Sequence, residues 1–228
     1  MKYTTLNTIV NDLLLIVRGS KIASSEIISK RQIEDWVHQY RAILIARHVD
    51  KNNYTNPDFI QEIPKLALEL TDLGGEFFYS SVLNLPKTIN RDVKSGYTWI
   101  GTSDGKELQL VPQHRAFWQQ YKKYTPNDNI CFLKDNKLYF KSNGIPISYI
   151  TVRGIFENPM EVGRFINPET SLPYTTLDSP YPIPVTMLEG LKQMILSKEL
   201  KIEVSAPSDS KNDSSHGVSD NTEKEFKA

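Results

Sequence analysis

The side chains best suited to chemistry are few and scattered. His38, His48, His114 and His216 stand far apart in the chain. A transition-metal site needs imidazole or thiolate ligands at short, fixed spacings. No HxH, HExxH or Cys/His cluster occurs here. Cys131 is the only cysteine, which rules out an intramolecular disulfide, and between Ile130 and Phe132 it reads as a small buried hydrophobe. Gly74-Gly75 reads as a turn, and no dinucleotide fingerprint, Walker loop or nucleophile elbow is present. An acid/base pair needs two carboxylates to converge. Asp104 and Asp135 are better explained as turn formers. The reading is a non-enzymatic protein without cofactor or metal, with a small hydrolase in the middle of the chain as a rival.

Cations and aromatics meet at His114-Arg115-Ala116-Phe117-Trp118. Such a segment either stacks on nucleic-acid bases or packs Phe117, Trp118 and Tyr121 against a sheet. The 27 basic and 27 acidic residues leave a formal net charge of +0. Nucleic-acid binders usually carry a basic excess, so packing is expected and a nucleic-acid-binding module is the second rival. Arg47 falls near the end of a helix, where the macrodipole favours a cation. It falls on the apolar face of that helix, so an ion pair across a subunit joint is the alternative to the favoured dipole reading.

The elements that must position these residues follow from periodicity. Leu6, Ile9, Val10, Leu13, Ile16 and Val17 recur at helical spacing from Thr5 to Arg18, and Gly19 stands at the C-cap. Ser29 and Gln32 form a capping box for a second helix running to Asp50, with Ile33, Trp36, Val37, Tyr40 and Leu44 as its core face. Ala42, Ile45, Ala46 and Val49 line the opposite side. A helix apolar on two faces is packed on two sides, within one bundle or against a neighbouring subunit.

From Phe59 the pattern changes. Leu66–Thr71 and Phe77–Leu83 read as strands beyond Pro64, which interrupts. Hairpins are expected around Ser103–Lys106 and Asp135–Asn136, because Asp-Gly and Asp-Asn tolerate positive φ. Gln113–Tyr121 reads as a short helix and Ile147–Glu157 as a long strand. Six prolines between Asn158 and Pro184 mark loop. A last helix follows, with Met187, Leu188, Leu191, Met194, Ile195 and Ile202 on one face.

The expected fold class is α+β: a helical bundle of two N-terminal helices plus a C-terminal helix, with a β-hairpin-rich insertion and an extended C-terminal tail. Its parts are 1–58, 59–183 with a short helix, 184–204, and the polar tail 205–228. The tail composition (Ser, Asp, Asn, Lys) is that of a segment that does not fold alone. Either it is solvated or a partner holds it. No secretory leader is read at MKYTTLNTIV, and the apolar run Leu13–Val17 is too short to span a bilayer. Assembly in a cytoplasm, away from membranes, is the expectation.

The order of LNLPKTI (Leu83–Ile89), VPQHRAFWQQY, NKLYFK, ISYITVRGIFENP and YPIPVTMLEGLKQMILSKELKI, then a polar tail, resembles the head–tail connector proteins of short-tailed bacteriophages. The nearest likeness is to the adaptor ring proteins of crAss-like phages. The resemblance implies a structural virion protein, a homo-oligomeric and dodecameric ring beneath the portal protein, assembled in the host cytoplasm. Genomic DNA would pass its lumen without sequence-specific binding, and the next tail or ring component would dock below. It implies no catalytic residues. The tail beginning at Ser205 would grip the portal, with Ser205, Lys211, Val218, Lys224 and Phe226 as candidate contacts. Ala42, Ile45, Ala46, Arg47 and Val49 are the candidate subunit interface. Another tail-ring or fibre-docking protein is the nearest rival.

Overall fold

The computed structural model describes residues 4–19, 28–52, 55–89, 96–118, 121, 129–141 and 147–200. Helix α1 spans Leu6–Gly19, α2 Lys30–Asn52, α3 Gln113–Phe117 and α4 Val185–Lys198. Strands are β1 (Gln61–Asp72), β2 (Phe77–Ser81), β3 (Tyr97–Thr102), β4 (Gln109–Leu110), β5 (Ile130–Lys134), β6 (Lys137–Phe140) and β7 (Tyr149–Gly154).

Helices α1 and α2 start where short polar side chains satisfy the first free amides. Thr5 Oγ1 accepts from the Thr8 amide at 3.2 Å, and Ser29 Oγ accepts from the Gln32 amide at 3.1 Å. The expected stripes then meet: Ile9 and Leu13 of α1, Ile33 and Val37 of α2, and Leu191 and Ile195 of α4 share one core. Each such side chain contributes about 1.5–3 kcal/mol on burial. Lys192 and Asp12 close one edge at 2.7 Å, and the Tyr40 hydroxyl donates to Glu199 at 2.5 Å on another. Ile202, expected on the same face of α4, lies outside the described residues.

The strands form one seven-stranded sheet in the order β3-β7-β1-β2-β6-β5-β4. All pairs are antiparallel except β4 with β5. The two ends of that order come together: Gly101 bridges Glu107, and the Leu108 amide donates to the Ile100 carbonyl at 2.8 Å. The sheet is therefore a nearly closed barrel. Alternation fills it, as period-2 geometry requires. Cys131 of β5 and Leu138 and Phe140 of β6 point inward, beside Ile63, Ile150 and Val152. Phe132 and Tyr139 point outward and stack, 5.3 Å between ring centres.

This corrects the expected architecture. The β region is not a set of hairpins inserted in a helical bundle; it is a barrel with its own core, and α1, α2 and α4 form a layer at one end. Closure depends on pairings remote in sequence, such as Gln61 with Gly154 and Tyr97 with Gly154. Local alternation identifies strands but not their long-range partners. Pro64 does not end β1 either: the register shifts between Ile63 and Leu66, a bulge where a missing N–H is tolerated. The Asp135–Asn136 hairpin is as expected, with both residues at positive φ, 52° and 60°. The Ser103–Lys106 turn also forms, but its second arm leaves β3 after Leu108 to pair in parallel with β5.

Candidate functional site

In α2 the i, i+4 line Val37-Arg41-Ile45 puts a guanidinium among apolar side chains. Arg41 is fully buried. Its Nε donates to the Pro182 carbonyl and its Nη1 to the Phe156 carbonyl, each at 2.8 Å. Nη2 has no partner among the described residues. The guanidinium carbon lies 5.6 Å from the centre of the Tyr181 ring, and the Tyr181 hydroxyl meets His38 Nδ1 at 2.9 Å.

Burial governs the protonation of this group. It lowers His38 to about 4, with the Arg41 charge adding to the effect. It brings Arg41 down to about 10, still a cation at neutral pH, and pushes the Tyr181 phenol up. A cation, a neutral imidazole, a phenol and two carbonyl oxygens make a clasp between the helical layer, the chain leaving β7 and the proline-rich segment before α4. The sequence reading missed Arg41; the signal was a charged residue on an apolar helical line.

The candidate subunit-interface residues fall mostly inside the subunit. Ile45 and Val49 are buried against Phe59, Ile89 and Ile155, and Ala42 and Ala46 pack on that cluster. Arg47 is exposed. The candidate portal contacts Ser205, Lys211, Val218, Lys224 and Phe226 lie outside the described residues. On α3, Phe117 packs on the sheet as expected, 5.5 Å from Phe78. Trp118 and Tyr121 do not: they are 66% and 73% exposed beside exposed His114 and Arg115. Burial pushes the Cys131 thiol up to about 12, which makes it inert at neutral pH.

Concavities open on the surface of the described residues. A groove of about 730 Å³ runs between the barrel and the segment before α4, walled by Pro57, Tyr174 and Pro184, with Asp58 and Glu62 its charged residues. A smaller apolar pocket of about 200 Å³ opens on the barrel wall between Leu66, Val82, Leu83 and Ile166, with Lys65 and Arg164 at its rim. Among the described residues no group of His, Cys, Asp and Glu could hold a metal ion, and no helix is long and apolar enough to cross a membrane.

The family model described as phage tail ring protein 2 matches residues 8–222 of the chain. No curated protein matches it.

Proposed function

This chain belongs to the phage tail ring protein 2 family of crAss-like phages, and we propose on that basis that it is the connector subunit joining portal to tail. A ring protein of the virion tail assembles with itself and with other tail components. The finer reading is a dodecameric adaptor whose lumen passes the genome, whose C-terminal segment grips the portal, and whose role is structural rather than catalytic. The observation that carries it is the extent of the family match, which takes in the helical layer, the barrel and most of the tail.

Physical features support the reading. The clasp at Arg41 fixes the two halves of the subunit against each other, as a part under load requires. The balanced charge, 27 basic against 27 acidic residues, suits a conduit in which DNA must slide, since phosphate contacts from an excess of cations would hold it. Exposed Arg47 and the neighbouring Ile43 on α2 are offered to an adjacent subunit. A tail that orders on docking gives up conformational entropy but wraps a large surface, and in a ring many weak tails act together.

Negative-stain images and native mass measurement of the purified chain with its portal test this. Rings seated on the portal are the expected result. Rings that stack only on other tail parts would instead favour a lower tail-ring or fibre-docking protein.

A further inference from the structure

We propose that neighbouring copies join head to tail, with Phe77 at the β1–β2 hairpin tip of one copy entering the barrel-wall pocket of the next. This rests on the ring reading above and names the contact that makes the ring.

The tip is rigid. Asp72 Oδ1 accepts from the Gly75 amide at 2.8 Å, and Gly74 and Gly75 take the positive φ values, 71° and 89°, that the turn needs. Phe77 stands opposite Asp72 in the ladder, and Leu70 opposite Tyr79, so these four side chains share one face. Tyr79 packs on the barrel core, whereas Leu70 and Phe77 are 60% and 64% exposed. The core-facing stripe therefore runs on past the barrel and ends in a bare phenyl ring.

The pocket matches it in size and charge. An apolar cavity of about 150 Å³ holds benzene, and this one measures about 200 Å³. Its mouth carries exposed Val82, Leu83 and Ile166. Lys65 at the rim is paired with Glu169, but Arg164 has no ion pair among the described residues. Asp72, beside the knob, has none there either. A ring placed in the pocket brings the Asp72 carboxylate toward the Arg164 guanidinium.

One copy cannot make this contact with itself. Knob and pocket both sit on β1, and Leu66 and Asp72 are separated by about 20 Å of extended strand. The occupant assigned is a second copy, which in a ring lies beside the first. Because the two surfaces differ, the contact is heterologous, and repeating it generates a closed ring when the rotation permits.

The test uses the full chain and removes the two charges singly and together. Asp72→Asn, which keeps the Oδ1 that accepts from the Gly75 amide, and Arg164→Gln should each weaken assembly about tenfold. Combining them should weaken it no further than either alone, because both remove the same pair. Phe77→Glu should leave a folded protomer, by circular dichroism, that does not assemble. Rings that persist in Phe77→Glu, or effects of the two charge losses that simply add, overturn the contact while leaving the ring reading intact. Loss of rings from Leu15→Glu on α1, with Phe77→Glu assembling normally, moves the contact to α1 and also overturns it. A wild-type chain that forms no ring with its portal removes the ring reading itself.

Discussion

Arg41 donates to the main-chain oxygen of Phe156 at 2.8 Å while the Phe156 ring is buried in the barrel core. One side chain thus ties the helical layer to the residue that fills the end of the barrel. Removing the Arg41 side chain leaves two buried carbonyl oxygens unpaired, which costs about 2–6 kcal/mol together. Arg41→Ala is expected to lower stability by that amount, read from the urea midpoint. Arg41→Lys keeps a charge but loses the planar fork that reaches two carbonyls, and should fall between wild type and Arg41→Ala. Equal midpoints for all three would remove the clasp.

The same clasp makes stability depend on pH. His38 has a folded-state pKa of about 4 against the ordinary 6.5. Below pH 6.5 the unfolded chain binds a proton that the folded one refuses, so the contribution is complete above 6.5. It drains away as pH falls through 4, about 3 kcal/mol in all. Thermal unfolding at pH 7 and pH 4 should show this loss in the wild type and a flatter response in His38→Gln. A parallel response in both proteins would exclude His38 as the source.

Barrel closure is tested at Gly101. A Cβ there would lie 2.8 Å from the Lys106 carbonyl oxygen and against the Trp99 ring. Gly101→Ala must push the seam apart and is expected to cost about 1–3 kcal/mol. Amide exchange at Leu108, whose N–H bridges the seam, should accelerate before exchange in β5 and β6 does. Unchanged protection at Leu108 would mean that the seam yields without opening.

The C-terminal segment has its own test. A chain cut after Val204 is expected to unfold at the wild-type midpoint and to lose portal docking. Docking that survives the cut would take the gripping role away from Ser205–Ala228.

What could be read in advance followed the range of the interactions. The cap at Ser29 and the turn at Asp135–Asn136 are set within a few residues, and both were legible. The helical stripes were legible for the same reason, except that Ile16, read into the α1 stripe, is exposed. The barrel was not: β1 finds β7 more than eighty residues away, and no local pattern encodes that pairing. The second apolar line of α2 was visible, but what covers it was not, and Phe59, Ile89 and Ile155 proved to lie in the same chain. Arg41 went unread because a charge on an apolar line has meaning only once Pro182 and Phe156 are in place. Phe77 looked like an ordinary strand residue until the strand was seen to outrun its barrel.

β1 belongs to both halves of the sheet, held by β7 through residues 61–67 and by β2 through residues 68–72. It is a lap joint. Tension entering at its first residues must slide a whole row of amide bonds at once, instead of peeling them singly. Force arriving at the helical end is therefore delivered along a stiff rod to the opposite extremity, and the vessel around it keeps its shape.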